Sequence, residues 1–292
     1  MSSGEPLVYI DGRFVPKSEA RISVYDHGFL YGDGVFEGIR AYNGVVFKLK
    51  EHIDRLYDSA KVLMIDIPMK KDEMIEAVLE TIRRNGFKDC YIRLLVTRGV
   101  GDLGLDPRRC SNPSVIIIAE PLKPLLGRKA ISVIISSIKR DRVDATSHQA
   151  KSLNYLNSIL AKLEAINAGA DDAILLDDRG FVSEATAANL FIVKEGKVAT
   201  PPQTTGILPG ITRGCVMEIV RRLGYPMEER EITPFELLTA DEAFLTGTGY
   251  EIVPISEVNG RKLKEAPGPI TKKVIEEFEK LKGDPENGVK VW

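Results

Sequence analysis

Cysteine, histidine and tryptophan are all scarce in this chain of 292 residues. It has three cysteines, three histidines and one tryptophan. Cys90, Cys110 and Cys215 are scattered, without the close pairing of cysteines that marks metal-binding motifs. We therefore expect reduced thiols in a cytoplasmic protein, with no disulfide framework and no metal site.

A strong charge of one sign and a long apolar run are missing too. The formal net charge is −2 at pH 7, which gives no reason to expect nucleic acid or an anionic membrane as a partner. No apolar run reaches the roughly 20 residues that a transmembrane helix needs. The start, M-S-S-G-E-P, also lacks the apolar core of a signal peptide.

Apolar residues are plentiful, at 43% of the chain, which is enough for one large core or two modest ones. The stretch E-P-L-K-P-L-L-G-R-K places two prolines between two strand patterns, so it is the best candidate for a domain boundary. We predict an α/β (α+β) chain with a smaller N-terminal domain at 1–120, an interdomain loop at 121–130 and a larger C-terminal domain at 131–292.

The first domain alternates strand and helix patterns. Asp11-Gly12 and Asn43-Gly44 predict tight turns between short strands. Helices are predicted at 51–64 and 71–84, and strands at 91–96 and 115–119. Asn85-Gly86 predicts a left-handed end to the second helix. The apolar face of the first helix is formed by Ile53, Leu56, Ala60 and Met64.

Glycines and aromatics alternate in Y-D-H-G-F-L-Y-G-D-G-V-F-E-G-I-R, from Tyr25 to Arg40. This pattern predicts a twisted, glycine-kinked strand with aromatic residues in the core. Further on, R-G-V-G-D-L-G-L-D-P is too rich in glycine for regular structure. At the other end of the chain, the tail from Gly283 is expected to fray.

The chain's central stretch runs from Ser147 to Val193 and places Lys151 just ahead of an amphipathic helix pattern. The predicted apolar face contains Leu153, Leu156, Leu160 and Leu163. A buried strand at 173–177, a D-D-R-G turn and a short strand ending at Glu184 follow. Four small residues at 185–188 then lead to Asn189 and another strand.

These parts match the needs of a pyridoxal phosphate site. Lys151 could form an imine, and Glu184 could hold the pyridine nitrogen protonated so that the ring draws electrons. Small side chains next to the carboxylate would let a flat ligand lie against the backbone. The alternative is an exposed lysine at a helix start and a surface glutamate at a strand end.

The stretch T-T-G-I-L-P-G-I-T-R brings a glycine turn to a helix start at Thr212. Backbone N–H groups and the helix dipole favour phosphate at such a place. An ordinary threonine N-cap is the alternative interpretation. Arg55, on the helix at 51–64, is on its residue type alone a solvated or salt-bridged surface group.

Several motifs, in order along the chain, resemble those of class IV (fold type IV) pyridoxal-phosphate aminotransferases. They are K-S-L-N-Y-L-N, V-S-E-A-T-A-A-N-L-F, L-P-G-I-T-R and L-T-G-T-G-Y-E-I. The likeness covers nearly the whole chain and is greatest to branched-chain amino acid aminotransferases. No motif is decisive alone, but together they are specific.

The resemblance implies a two-domain fold type IV enzyme that uses pyridoxal 5′-phosphate as a Schiff base on Lys151. It would move the amino group of L-leucine, L-isoleucine or L-valine to 2-oxoglutarate. Its partners would be amino acids and 2-oxo acids, and it would form a homodimer or higher homo-oligomer with active sites completed by a second subunit. D-amino-acid aminotransferase and aminodeoxychorismate lyase share the scaffold, and a non-catalytic cofactor-binding protein is the alternative from another class.

The resemblance also assigns site residues. Cofactor binding falls to Arg55, Lys151, Tyr155, Glu184, Asn189, Leu208, Ile211, Thr212 and Thr248, and Lys151 is catalytic. Substrate binding falls to Tyr31, Phe36, Tyr91, Arg93, Thr248 and Gly249. Within these sets Tyr31 reaches the neighbouring subunit, and Arg93 meets the side-chain carboxylate of glutamate. Where the family often carries aromatics at the pocket mouth, this chain has Leu122, Leu125 and Leu126.

Overall fold

The structure, a computed structural model, describes residues 4–121 and 129–292. The predicted pocket-mouth leucines at 122, 125 and 126 lie outside the described residues. The chain forms two compact units. Unit 1 comprises residues 4–121, 150–154 and 282–292, and unit 2 comprises residues 129–149 and 155–281.

Sixteen strands and seven α-helices make up the described part of the chain. The strands are β1 (Leu7–Ile10), β2 (Arg13–Pro16), β3 (Gly34–Tyr42), β4 (Val45–Phe47), β5 (Cys90–Thr97), β6 (Ser114–Glu120), β7 (Ile131–Lys139), β8 (Asp172–Leu176), β9 (Val182–Ala185), β10 (Asn189–Lys194), β11 (Lys197–Thr200), β12 (Met227–Glu229), β13 (Glu242–Gly247), β14 (Glu251–Val258), β15 (Arg261–Lys262) and β16 (Gly288–Lys290). The helices are α1 (His27–Tyr31), α2 (Leu49–Val62), α3 (Lys71–Asn85), α4 (Leu156–Asn167), α5 (Ile211–Arg222), α6 (Pro234–Leu238) and α7 (Pro269–Gly283).

Unit 1 is built on an antiparallel sheet with the strand order β16-β4-β3-β5-β6-β1-β2. The predicted hairpin turn is confirmed: Asp11 and Gly12 both have positive φ, at 48° and 85°, as a two-residue turn between twisted strands requires. Helices α2 and α3 pack on this sheet through apolar faces that include Ile53, Leu56 and Val78. The predicted helix end at Gly86 is confirmed by its left-handed φ of 68°.

Met64 was predicted to face the core, and this is wrong. Helix α2 ends at Val62, and Met64 follows in a left-handed conformation with φ 54°. The side chain therefore leaves the helical face that Ile53 and Leu56 share, and it is 83% exposed.

The glycine-rich segment from Tyr25 to Arg40 is not one strand. Asp26 accepts a hydrogen bond from the Gly28 N–H and so caps the short helix α1. Gly32 ends this helix with φ 68°, and β3 begins at Gly34. The predicted strand is correct only for the second half of the segment.

Two stretches within the predicted second domain belong to unit 1. Residues 150–154 lie against β3, where Ser152 forms a bridge with Val35. The C-terminal tail, expected to fray, pairs with β4 as strand β16. Val291 is fully buried there, so apolar burial and strand pairing order the tail.

Unit 2 contains a mixed sheet with the order β12-β11-β10-β13-β14-β7-β8-β9, and β15 pairs with β14. Its neighbours are antiparallel except for the pairs β11/β12, β7/β14 and β7/β8. The rings of Phe191 on β10 and Phe244 on β13 stack inside it, with centroids 5.1 Å apart. The connections between β9 and β10 and between β13 and β14 both join strands of this sheet.

Helix α4 buries the face opposite to the predicted one. Ser158, Ala161 and Ala165 are buried, and the two alanines pack with residues of β7 and β8. Small side chains let the helix lie close to the sheet, so the larger leucines point outward. Leu156 is 67% exposed, and Ile159, Leu160, Leu163 and Ile166 are exposed with it.

None of the described helices is both long and apolar enough to cross a membrane.

Candidate active site

Lys151 is fixed by its own backbone in unit 1. Its N–H donates to Ser59 Oγ at 3.1 Å, and its carbonyl accepts from the Phe36 N–H at 3.0 Å. The Lys151 ammonium lies 4.5 Å from the centroid of the Phe36 ring. The lysine expected to be catalytic is therefore held against an aromatic side chain of β3.

Phe36 also contacts Arg93, so the neighbouring strands β3 and β5 bring these two side chains together. The Arg93 guanidinium lies 4.5 Å from the Phe36 ring centroid and 5.6 Å from that of Tyr91. Tyr91 and Arg93 share one face of β5, as the alternation of side chains predicts. Gly38 is required beside them because a Cβ there would stand 2.1 Å from the Tyr91 hydroxyl.

A buried carboxylate organises the neighbouring part of unit 1. Glu37 is fully buried and accepts two hydrogen bonds from Arg55, Nε to Oε1 at 2.7 Å and Nη2 to Oε2 at 2.8 Å. His52 Nδ1 lies 2.7 Å from Oε2 of the same carboxylate. Of the two expectations for Arg55, the salt bridge is therefore correct: it pairs with a buried carboxylate, and its own side chain is 13% exposed.

The ionisation of this cluster follows from its contacts. Burial alone would raise the pKa of Glu37, but the charges and hydrogen bonds of Arg55 and His52 outweigh burial and lower that pKa to about 2. Burial also lowers the pKa of His52, although Glu37 opposes this shift. At neutral pH the cluster therefore consists of an ionised glutamate between a charged arginine and a neutral histidine.

Tyr31 lies at the end of α1 and is tied to the glycine-rich loop. Its hydroxyl donates to the Leu103 carbonyl at 2.6 Å, and its ring meets His27 edge-on. His27 in turn lies 2.9 Å from the Asp102 carbonyl. These contacts join α1 and the loop around Leu103 into one exposed surface.

Unit 2 brings together Glu184, Asn189 and Leu208. The buried Glu184 carboxylate accepts from Asn189 Nδ2 at 2.9 Å and from the Leu208 N–H at 3.2 Å, both at Oε2. The Asn189 amide also donates to the Leu208 carbonyl at 2.9 Å. A Cβ on Gly210 would stand 2.0 Å from Asn189 Oδ1, so only glycine allows this packing.

Two further groups, absent from the sequence prediction, face Glu184 in unit 2. Arg140 Nη2 lies 3.5 Å from Glu184 Oε1, and its side chain is fully buried. His148 Nε2 lies 3.9 Å from the same oxygen, and its ring packs on that of Tyr155 with centroids 5.0 Å apart. Tyr155 is thereby placed beside the carboxylate through His148.

The start of α5 can accept an anion. Its N-cap is Gly210, which has no side chain to satisfy the first N–H groups. Ile211 and Thr212 are the first two helical residues, so the alternative of a threonine N-cap at Thr212 is wrong. Thr248 and Gly249 lie in the turn between β13 and β14.

Buried polar atoms without a hydrogen-bond partner are few among the described residues. Two of them lie next to Glu184 and Asn189. Arg140 Nε is one, beside Glu184. Thr246 Oγ1 is the other, on the strand residue paired with Asn189. Such atoms are rare in native structures, and they are consistent with a site that receives a polar ligand.

Some of these residues carried a sequence signal and others did not. Glu37 is the only acidic residue of β3, a strand whose other residues are mostly apolar, and this can be noticed in F-E-G-I-R. Arg140 lies in a charged stretch after β7, far from Glu184 along the chain, and no spacing joins the two. His148 comes three residues before Lys151, yet its contact runs to Glu184 in unit 2.

Comparison with known proteins gives one consistent result. The class IV amino-transferase family matches residues 34–258. A putative branched-chain-amino-acid aminotransferase of Methanocaldococcus jannaschii is 55% identical, over 98% of this chain and 99% of its own length.

Two solved structures show the same likeness across their length. The branched-chain aminotransferase of Thermoproteus uzoniensis, solved with norvaline, has a TM-score of 0.94 and 41% identity and covers 99% of this chain and 100% of its own. A T.th. branched-chain amino acid aminotransferase, complexed with N-(5′-phosphopyridoxyl)-L-glutamate, has a TM-score of 0.92 and 40% identity and covers 97% of this chain and 96% of its own.

The Glu37 cluster predicts a pH-dependent stability. Because its pKa falls from 4.5 to about 2 on folding, the ionised carboxylate stabilises the fold above about pH 4.5. This contribution, on the order of 3 kcal/mol, is lost as the pH falls toward 2. Replacing Glu37→Gln should therefore lower the free energy of unfolding most at pH 7 and progressively less between pH 4.5 and 2, measured by denaturant titration.

Glu276→Gln, at an exposed position of α7, is the matched control and should change the free energy of unfolding little at any pH. A Glu37→Gln penalty that stays constant from pH 7 to pH 2.5 would contradict the assignment of an ionised, paired glutamate.

Proposed function

Since the chain belongs to the class IV aminotransferase family, of fold type IV and dependent on pyridoxal 5′-phosphate, we propose that it moves the amino group of L-leucine, L-isoleucine or L-valine to 2-oxoglutarate. The observation that carries the proposal is the Phe36 ring, which contacts the Lys151 ammonium and the Arg93 guanidinium. An apolar wall with a single arginine at its edge suits both an apolar side chain and a carboxylate. The relatives solved with norvaline and with a phosphopyridoxyl-L-glutamate support this pairing of substrates.

When bound, pyridoxal phosphate supplies a carbonyl carbon that takes up the amino group and a ring that draws electrons from the substrate Cα. Arg55, held by its two hydrogen bonds to Glu37, would contact the phosphate. The N–H groups at the start of α5 would also contact it, together with Thr212 and Thr248. Tyr155 and Leu208 would contact the ring.

Glu184 would keep the ring nitrogen protonated. At about 4 Å and an effective dielectric near 20, a carboxylate stabilises such a cation by about 4 kcal/mol. This corresponds to roughly three pKa units. Asn189 and the Leu208 N–H fix one carboxylate oxygen, and Arg140 near the other favours the ionised form.

Lys151 would hold the cofactor through its amine and later move a proton. Its backbone is pinned at both the N–H and the carbonyl, so Nζ is delivered to a constant place beside Phe36. There the amine would take the proton from Cα of the amino donor as a general base. As a general acid it would then deliver that proton to the cofactor carbon that has taken up the amino group.

Borohydride treatment of the purified enzyme followed by peptide mapping should locate the cofactor on Lys151. Reduction makes the linkage permanent, so the added mass stays on the peptide that contained it. A Lys151→Ala variant should lose the modification, whereas Lys197→Ala, at an exposed strand position, should keep it at Lys151. A modified peptide that contains any other lysine would show that Lys151 has been misassigned.

Arg93 would decide how the pocket receives glutamate. A buried carboxylate must be paired, whereas a leucine side chain needs only the aromatic wall. A charge-assisted contact contributes about 1.5–3 kcal/mol, so its loss corresponds to about ten- to hundredfold weaker binding.

Accordingly, Arg93→Leu should weaken glutamate and 2-oxoglutarate by about ten- to hundredfold and change leucine little, in half-reactions followed by stopped-flow absorbance. The matched control is Arg84→Leu, which also removes a guanidinium stacked on a ring, that of Phe14 at 4.1 Å. Equal losses for leucine and glutamate would mean that Arg93 binds the α-carboxylate or supports the fold.

Exposed apolar residues support the proposal of a homodimer. They are Ile22, Val24, Tyr25, Phe29, Val100, Leu103 and Leu105, all exposed in unit 1. Their segments are joined by the bridge between Asp26 and Val100 and by the bond from Tyr31 to Leu103. A contiguous apolar surface of this kind marks an interaction site, and the exposed stripe on α4 is a second one.

The double variant Leu103→Asp, Leu105→Asp should shift the enzyme toward monomer and lower its activity in parallel, because Tyr31 is held by the Leu103 backbone and would complete the neighbouring site. Sedimentation and activity are measured on the same dilution series. Met64→Asp, at an exposed residue just after α2, is the control. A fully active monomer would overturn the shared site.

The two other activities of the scaffold are separated by their substrates. A D-amino-acid aminotransferase would accept D-donors, and aminodeoxychorismate lyase would eliminate rather than transfer. Comparing L- and D-leucine as donors to 2-oxoglutarate is the direct test of the proposed activity. No transfer from either donor would reject it.

A further inference from the structure

Asp172, the first residue of β8, is a fully buried carboxylate that the proposed reaction does not use. Its Oδ1 accepts from the Thr186 hydroxyl at 2.7 Å, and its Oδ2 accepts from the Tyr250 hydroxyl at 3.0 Å. Lys162 Nζ lies 3.7 Å from Oδ1 and supplies the opposite charge. Since a buried charge without partners is very costly, this arrangement fixes all of these side chains.

The two hydroxyls belong to two different turns of unit 2. Thr186 lies between β9 and β10, in the turn that joins Glu184 to Asn189. Tyr250 lies between β13 and β14, directly after Thr248 and Gly249. One carboxylate therefore holds both the segment assigned to the ring nitrogen and the segment assigned to the phosphate and the substrate carboxylate.

The two turns also approach each other directly. A Cβ on Gly247 would stand 3.3 Å from the Ala187 carbonyl oxygen and 3.6 Å from Ala188 Cβ. The backbones are thus packed closely at the point where the Asp172 hydrogen bonds arrive. A small displacement of either turn would be passed to the other.

We propose that Asp172 is a positioning residue that locks the turn at 186–188 to the turn at 248–250, and so sets the substrate carboxylate subsite relative to Glu184. The proposal rests on the proposed function for the roles of Thr248, Gly249 and Glu184. The lock itself consists only of the contacts of Asp172, Thr186 and Tyr250.

The hydrogen bonds of the lock each have a fixed donor and a fixed acceptor. Both hydroxyls donate to the Asp172 carboxylate oxygens, so their orientations are fixed. Burial and the neighbouring Asp172 both raise the pKa of Tyr250, which keeps its hydroxyl a donor at neutral pH. Hydrogen bonds to a charged acceptor are stronger than neutral ones.

The test removes one hydroxyl at a time, with Tyr250→Phe and Thr186→Val, because Asp172→Ala would leave two buried hydroxyls without an acceptor and could fail to fold. Amide hydrogen exchange of the holoenzyme, read by mass spectrometry, is the first measurement. Each variant should accelerate exchange about tenfold in both turns, including the turn that carries no substitution. Faster exchange confined to the substituted turn would overturn the lock.

The second measurement is steady-state kinetics with L-leucine and 2-oxoglutarate. Tyr250→Phe should raise KM for leucine about tenfold and leave kcat within about threefold, because a displaced carboxylate subsite weakens the ground state and the transition state alike. In the double variant, KM for leucine should rise by less than the product of the two single-variant factors, since both hydroxyls act through one carboxylate. Fully multiplicative effects would contradict a shared lock.

Matched controls remove similar hydroxyls elsewhere. Tyr57 donates to the Met69 carbonyl, and Thr81 donates to the Ala77 carbonyl, both in unit 1. Tyr57→Phe and Thr81→Val should leave exchange in the two turns and KM unchanged. If the wild-type protein transfers no amino group, the proposed function fails, whereas the exchange result still decides the lock.

Discussion

Glu37 cannot be buried without a partner, and helix α2 of unit 1 provides two of them, Arg55 and His52. An unpaired carboxylate in this interior would cost several kcal/mol or would be protonated. Arg55 on α2 reaches it with two hydrogen bonds, and His52 on the adjacent turn of the same helix reaches it with a third contact. The helix is therefore fixed in rotation against β3, the strand that carries Phe36. The arginine that would meet the phosphate is held by the same pairing.

The same constraint recurs twice in unit 2. Glu184 is held by Asn189, the Leu208 N–H and Arg140, and Asp172 is held by Thr186, Tyr250 and Lys162. If Glu184 meets a cationic ring, as proposed, the fixed dipoles and charges around its carboxylate would need no reorganisation, which is the electrostatic advantage of a preorganised site. Packing alone could not achieve this, because apolar contacts have no direction.

Local patterns predicted the elements whose causes are local. Asp11-Gly12 required a tight turn, Gly86 ended a helix, and Tyr91 and Arg93 shared a face because strands alternate. Helix α4 was misread because its leucines suggested a core face, whereas alanines at the contact allow closer approach to β7 and β8. The sequence did not predict the contacts of Arg140 and His148 with Glu184, because these contacts depend on how the strands assemble. Motif resemblance supplied most site residues, since spacing alone does not connect Lys151 with Phe36.

The proposed dual specificity would place opposite demands on one surface, and the strands β3 and β5 carry side chains that could meet both. Phe36 presents an apolar ring, and Arg93 keeps its charge partly covered by stacking on that ring and on Tyr91. A guanidinium is weakly hydrated and planar, so it tolerates an aromatic neighbour better than an ammonium does. With an apolar side chain bound, the arginine would remain satisfied by the rings. With a carboxylate bound, the same group would gain a charged partner. Under the proposal, neither substrate would leave a charge buried alone.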